Sequence, residues 1–534
     1  MSPFRVRGVI EGFYGPPWSH AARCRAVATL AAHGMNAYVY APKSDPKHRD
    51  RWRDAYDSHE SVRFRELATH CATHGTTFGF AISPGLDIAY AEEADRAALL
   101  EKLSPLADAG IAWFVLALDD IPLRTGLAAE QADLTAWLHG ALATRGATRL
   151  TVVPTEYVGT RPSPYLADLD AGLPADIDLM WTGPTVCSPE VSAADAAAWR
   201  RAVGDRATIL WDNYPVNDAV MERELHLGAY RGRDAARAAV LDGVLCNPML
   251  QPTASLVPLL TAARFLADPA GYDERAAWDG AVDEVGGSGA TALRAIGRAC
   301  SDGPLAPASC LPAHALVTAL GDEIDGPGWM PTTVALRDEL DALLVACLAW
   351  DDDDELGHEL RPWLQQARRE ADAAAAALRL LQHLRPVACR DADGRGRAAT
   401  IDAEAAMLHC FALLFAWRAA RDATRAIVLG PRFGMHPAVI QLADGRPAVD
   451  VGLALREDQS VVDRLCRLAL DHYERWVADP ASDIRIMADG ADVPVAANGS
   501  FAAPAPAVVL LRSGGLATRL PAPSAPPYPD GRLA

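Results

Sequence analysis

The sequence predicts an α/β chain, a (β/α)8 barrel of the TIM type followed by a mainly helical C-terminal domain. Two observations lead there. Between residue 5 and about residue 265, eight short β-rich apolar runs alternate with longer stretches of helical period, the alternation expected of a parallel sheet wrapped by helices. Nearly every run also stops in a polar or Gly/Pro cluster, as it should where strand ends converge on one face of a barrel. A doubly wound open sheet is the main competitor, but eight strands in about 260 residues match the barrel's count and size.

In order, the runs are "RVRGVI" (5–10), "NAYVYAP" (36–42), "FGFAISP" (78–84), "WFVLALDD" (113–120), "RLTVVPTEY" (149–157), "DLMWTGP" (178–184), "TILWDNY" (208–214) and "GVLCNPM" (243–249), each followed by a helix-like stretch. Gly, Pro and Asn at their ends are ordinary turn residues taken singly. Together, eight ends rich in Tyr, Trp, Asp, Asn and Lys read as a ligand pocket. Past about residue 270 strand signals thin and stretches such as "RREADAAAAALRLLQHL" carry helical spacing. The expected organisation is a barrel over 1–275, a helical domain over 276–425, a small mixed α/β region over 426–520 that includes a hairpin near its end, and a disordered Pro-rich tail over 521–534.

Composition excludes several function classes. The 534 residues are 50% apolar and 22% charged, the profile of a globular protein with room for more than one core. A formal charge of -19 opposes binding to nucleic acid or anionic membranes. No run of about 18 apolar residues occurs and the N-terminus lacks a signal-peptide core, so the expected location is the cytoplasm. Ten cysteines without a CxxC pair indicate neither a disulfide framework nor a zinc site. His70 and His74 form a candidate ligand pair with no nearby acid to complete it, and "DDDDELGHE" (351–359) reads as a solvated helix end or loop. No metal and no cofactor is expected. Oligomeric state stays open, a homo-oligomer included.

Chemistry points to Asp119 and Asp120, which end an apolar strand and precede a proline two residues on. Neighbouring strand residues point to opposite faces, so only irregular geometry at the strand's end brings both acids to one site. There, repulsion and desolvation should raise at least one pKa, giving a proton donor beside an anion. Ordinary retaining glycosidases hold their two acids about 5 to 5.5 Å apart across the sugar. Adjacent acids fit better the substrate-assisted variant, in which a 2-acetamido oxygen attacks and the protein supplies an orienting carboxylate and a general acid. A "DD" pair after a strand is also an ordinary helix N-cap or loop feature.

The blocks "RGVIEGFYGPPWS", "NAYVYAPKSDPKHRDRWRDAY", "AISPGLDI", "FVLALDDI", "PTEYVGT", "WTGP", "LWDNYPVND" and "CNPM" resemble glycoside hydrolase family 84, the O-GlcNAcase-like β-N-acetylglucosaminidases, some members of which were named hyaluronidases. They occur in the family's order over about half of the chain. The resemblance implies that Asp119 orients the acetamido N–H, that Asp120 is the acid/base, and that Tyr157 hydrogen-bonds the acetamido oxygen. It further implies that Gly12 and Lys43 lie near the 3-hydroxyl, that Asp218 and Asn247 hold the 4- and 6-hydroxyls, that Asn213 lies beside the acetamido group, and that Trp211, Tyr14 and Thr182 form the pocket wall. The implied partner is a glycan or glycoprotein bearing N-acetylglucosamine.

Read singly, Gly12 fits a turn, Lys43 a solvated surface, Trp211 a core position, and Asp218 and Asn247 turns. Val153 and Ala117 depart from the residues common in the family near the acyl pocket, which bears on acyl preference and leaves the chemistry intact. The function expected is a retaining exo-β-N-acetylglucosaminidase working through an oxazoline. A non-hydrolytic GlcNAc- or glycopeptide-binding protein and a hyaluronan-degrading glycosidase are the alternatives.

Overall fold

A computed structural model describes residues 2–308, 311–324, 329–350, 354–384, 388–390, 396–398, 403–424, 426–430, 432–435, 460–478, 485–488, 491–492, 509–513 and 516–520. The eight predicted runs are eight strands: β1 (Val6–Glu11), β2 (Ala37–Tyr40), β3 (Thr77–Ile82), β4 (Trp113–Ala117), β5 (Arg149–Val153), β6 (Asp178–Trp181), β7 (Thr208–Asp212) and β8 (Gly243–Cys246). They pair in parallel in chain order, and β8 pairs with β1 to close the barrel.

Six helices fill the connections as far as β7: α1 (His20–Ala32), α2 (Ser58–Thr73), α3 (Glu93–Asp108), α4 (Leu127–Ala143), α5 (Pro164–Gly172) and α6 (Ala193–Ala202). Their starts follow local chemistry. Asp57 and Glu60 form a capping box at α2, and Ser192 and Asp195 form one at α6, each satisfying amides that the first helical turn leaves unpaired. The β7–β8 connection departs from the expected helix and holds only two 3-10 turns, Ala219–Met221 and Ala235–Ala239. α7 (Pro252–Ala267), α8 (Glu274–Gly286) and α9 (Ala290–Ala299) follow β8.

The barrel interior is packed with Val6, Ile10, Val39, Trp113, Val115, Val153, Met180, Ile209, Trp211 and Leu245 among others, with Tyr157 laid against them. Its lower end is closed by an ionic cluster around the buried Asp178. Asp178 accepts from Arg5 at 2.9 Å and from Arg149 Nε at 2.9 Å, and the Arg149 guanidinium lies 4.4 Å from the Trp113 ring centroid. With that end plugged, the opposite end, where the strands finish, is the one free to bind a ligand.

The chain divides into two compact units, one made of Met1–Ser309 and Trp350–Leu360, the other of Cys310–Ala349 and Arg361–Ala534. The second contains α10 (Pro312–Glu323), α11 (Trp329–Ala346), most of α12 (Glu355–His383), α13 (Ala403–Ala423) and α14 (Val461–Ala478). The expected hairpin is present as Val509–Ser513 paired antiparallel with Leu516–Leu520. The tail over 521–534 and all of 436–459 lie outside the described residues.

Within the acidic stretch Asp354, Glu355 and His358 are exposed, as expected of a solvated helix end, whereas Glu359 is only partly exposed and accepts the amides of Thr253 at 3.0 Å and Ala254 at 2.8 Å, capping α7; residues 351–353 lie outside the described residues. His70 and His74 spend ring nitrogens on backbone carbonyls, of Cys24 at 2.8 Å and of His70 at 2.9 Å. The eight cysteines whose side chains are described are in no disulfide. No described helix is long and apolar enough to cross a membrane.

Candidate active site

β4 is buried throughout, and the ladder runs one residue further, Leu118 N donating to Val153 O at 2.9 Å. The break in side-chain alternation comes at Asp120, whose φ is 57°. That left-handed conformation is uncommon outside glycine and is best tolerated by Asp and Asn. It lets two successive carboxylates serve one mouth, Asp119 buried in the wall and Asp120 facing solvent.

The two acids have unequal surroundings. Asp119 Oδ2 receives the Lys43 ammonium at 2.5 Å, a pair in which both side chains are buried. Its Oδ1 is sealed from solvent and has no partner. Such an oxygen costs about 1–3 kcal/mol or more, so the site contains an acceptor that a bound N–H would satisfy. Asp120 is gripped from two sides, Tyr157 donating to Oδ1 at 2.7 Å and Tyr14 to Oδ2 at 2.8 Å.

At least one of the two acids was expected to have a raised pKa, and Asp120 departs from that expectation. Partial burial pushes its pKa up, but the Tyr157 hydroxyl, the Lys43 charge, the Tyr14 hydroxyl and the Arg49 charge together hold it below the usual Asp value. Burial and the adjacent Asp120 carboxylate raise both tyrosines well above theirs. Both therefore remain protonated donors.

The floor is a relay across β7, β8 and β1. Asn213 Oδ1 accepts from Trp211 Nε1 at 3.0 Å and from Asn247 Nδ2 at 2.9 Å, while Asn213 Nδ2 donates to Val186 O at 2.8 Å. Asn247 Oδ1 in turn accepts the Gly12 amide at 3.1 Å. Gly12 is more than a turn residue, because a Cβ there would sit 2.2 Å from Trp211 Cζ2. The indole occupies the space a side chain would take. Lys43 Nζ stands 5.7 Å from the centroid of that indole, within cation–π range.

On the rim, Asp218 Oδ2 accepts the Tyr14 amide at 2.7 Å, and burial raises the Asp218 pKa. Thr182 is buried, and its amide donates to Tyr157 O at 3.0 Å, fixing the backbone of that tyrosine. The structure thus gathers all eleven residues singled out in the sequence on the strand-end face, linked directly or through one another.

A family model described as beta-N-acetylglucosaminidase matches residues 7–297. The chain belongs to this family. Over 270 residues it is 33% identical to the protein O-GlcNAcase of Rattus norvegicus, a match taking in 48% of this chain and 29% of that protein. It therefore spans under a third of the length of that curated relative. Among solved structures, a mutant of the O-GlcNAc hydrolase of Thermobaculum terrenum is similar with a TM-score of 0.71 and 28% identity, covering 88% of this chain and 95% of that one. CpGH84B is similar with a TM-score of 0.72 and 26% identity, covering 80% and 75%. The family 84 resemblance read from the motifs and these matches agree.

Within the barrel, three further residues shape the site and were not singled out in the sequence. Asp212 is buried beneath Trp211 and Asn213, paired with Arg233 at 2.6 and 3.1 Å and accepting from Tyr230 at 2.6 Å. Glu11 ends β1, takes Arg23 at 2.7 and 2.8 Å together with Tyr38, and receives the Trp18 amide at 3.0 Å, which fixes the turn carrying Gly12 and Tyr14. Arg49 is buried in the β2–α2 loop and its charge reaches Tyr14 and Asp120. All three lie inside the quoted blocks "IEGFYG", "LWDNY" and "PKHRDRW", but a single sequence does not reveal which buried partners they meet.

The mouth is also ringed by exposed apolar side chains from six loops. Tyr14, Leu86, Leu123, Val158, Val186 and Val220 each follow a different strand from β1 and β3 to β7, with exposures from 38% at Val158 to 59% at Val220. Apolar groups concentrated at a mouth favour contact with a bound molecule larger than the pocket itself.

Proposed function

We propose that this chain removes terminal β-linked N-acetylglucosamine from a glycan or glycoprotein, as a retaining exo-glycosidase in which the sugar's own acetamido oxygen is the nucleophile. The observation that carries this reading is the unpartnered, buried Oδ1 of Asp119, whose sister oxygen is held by Lys43. An acetamido N–H donating to Oδ1 would satisfy it and push electron density onto the amide oxygen, which then attacks the anomeric carbon and closes an oxazoline. Asp120, on the open side, protonates the departing oxygen and afterwards takes a proton from water.

Tyr157 is within reach of the same chemistry. Its hydroxyl now donates to Asp120, and turning it to the acetamido oxygen would stabilise the oxazoline while freeing Asp120 to take up a proton. Lys43, Gly12, Asp218 and Asn247 are assigned to the sugar hydroxyls, Asn213 to the acetamido side, and Trp211, Tyr14 and Thr182 to the wall. The apolar rim supports a carrier that extends past the sugar, as O-linked N-acetylglucosamine on a polypeptide does.

Asp120→Asn should lower kcat on aryl N-acetylglucosaminides with poor leaving groups by about 10²–10⁴-fold, and by much less when the leaving group needs no proton. Asp119→Asn should depress good and poor leaving groups alike. Full activity of Asp120→Asn on poor leaving groups would remove its role as acid. Sugar binding without turnover by the unaltered chain would favour a non-hydrolytic binder.

A further inference from the structure

We propose that Arg49 anchors a carboxylate on the leaving-group side of the site, so that the chain favours N-acetylglucosaminides whose aglycone carries an acid. The inference rests on the proposed hydrolysis and adds a substrate class to it. It starts from the β2–α2 loop, residues 41–57, which with α3 buries three cations beside one imidazole: Lys43, Arg49, Lys102 and His48.

Two of those cations are answered within the protein. Lys43 has Asp119 at 2.5 Å, and Lys102 donates to the carbonyls of Lys47 at 2.7 Å and of Asp54. His48 is completely buried with neither ring nitrogen partnered, and burial, with Lys43, Arg49 and Lys102 around it, depresses its pKa far enough to keep it neutral. It therefore adds no charge.

Arg49 is the exception. It is 7% exposed, pairs with no carboxylate among the described residues, and has a single hydrogen bond, Nη1 to Ser83 Oγ at 3.3 Å. None of its other nitrogens is both sealed and unpartnered, so they open onto solvent. A nearly buried guanidinium with no carboxylate in direct contact is costly, and a planar fork with donors to spare suits a carboxylate.

Position and charge specify the ligand further. Ser83, its partner, directly follows β3, the barrel neighbour of the strand that leads into Asp119 and Asp120, so Arg49 lies on the strand-end face, where its charge reaches Tyr14 and Asp120. These stand at the open side, beside the oxygen that leaves, whereas the sugar-binding residues line the floor. A dianionic phosphate there would face Asp120 and Asp218, while a singly charged carboxylate adds less repulsion for the same bidentate contact.

The test compares matched substrates on the unaltered chain. A GlcNAc–glucuronic acid disaccharide is set against its methyl ester, and a GlcNAc-seryl peptide with Asp beside the modified residue against the same peptide with Asn. The acid member of at least one pair should be preferred by about tenfold in kcat/KM, mainly through KM, and the pair that shows it identifies the source of the carboxylate. Arg49→Met should bring that ratio to about one, whatever its absolute rate. Arg49→Lys, keeping the charge and losing the fork, should lower the ratio and serves if the Met variant does not fold. Equal rates within both pairs, or a ratio unchanged by both substitutions, would overturn the anchor. Failure of the unaltered chain to cleave even the neutral members would instead overturn the proposed hydrolysis.

Discussion

In the proposed mechanism Asp120 changes protonation state in every turnover, and its resting surroundings set the terms. Two tyrosine hydroxyls and two cations favour its ionised form. A bound glycoside that draws Tyr157 to the acetamido oxygen and covers the mouth removes one donor and adds desolvation, both of which raise the pKa. The basic limb of the kcat profile, which reports the bound state, should therefore lie about one pH unit or more above that of kcat/KM, which reports the free protein. Tyr157→Phe should narrow the gap, because the free-state donor is already lost. Coincident limbs in the unaltered chain would contradict this account. At this scale the sequence was informative about the acids themselves and silent on their tuning. Asp119 and Asp120 stand side by side in the chain, but Arg49 meets Asp120's field only through the fold.

The barrel elements were legible because β-rich apolar runs and helical stretches alternate without ambiguity, and each predicted strand is found. Their ends were read too long. Ser83 and Tyr157 continue apolar or β-favouring runs, yet the parallel ladder stops where the chain turns into the mouth. The β7–β8 connection, expected to be helical like the others, holds only two 3-10 turns, one of them over the helix-favouring "AARAA". The β2–α2 loop depends on a helix outside it. Lys102 of α3 holds the carbonyls of Lys47 and Asp54 and lies 4.1 Å from the Tyr56 ring centroid, while Tyr40 and Tyr56 share Asp45 Oδ2 at 2.8 Å each. Burial lowers the Lys102 pKa to about 8. Lys102→Met leaves two carbonyls without their donor and should destabilise the protein by about 1–3 kcal/mol. It should also cut kcat/KM by about tenfold by letting Lys43 drift from Asp119. Thermal melts and steady-state rates on an aryl glycoside check both; an unchanged kcat/KM would detach this loop from catalysis.

The whole molecule joins a barrel unit that carries the site to a helical unit with its own buried polar centre. In the latter, Glu370 is fully buried, accepting from Gln366 at 2.7 Å and from the Met435 amide at 3.0 Å, and burial raises its pKa to about 8. A carboxyl whose pKa is raised on folding contributes stability that is fully present below its unfolded value, near 4.5, and lost as pH rises through about 8. Melting of the helical unit should therefore weaken from pH 5 to pH 8.5, and Glu370→Gln should flatten that decline. An identical pH slope in the variant would show that the acid is already ionised in the folded state. None of this centre was legible in the Ala-rich sequence, since helical spacing marks which faces are buried but not which polar side chains meet there. The central claim concerns the barrel, namely that Asp119 and Asp120 leave nucleophilic attack to the substrate. It is tested most directly by kcat/KM over aryl glycosides whose 2-acetamido group carries zero to three fluorines. Each fluorine weakens the amide oxygen as a nucleophile, so the account predicts a steep monotonic fall along the series. Rates insensitive to fluorination would mean that a group of the protein, not the acetamido oxygen, attacks the sugar.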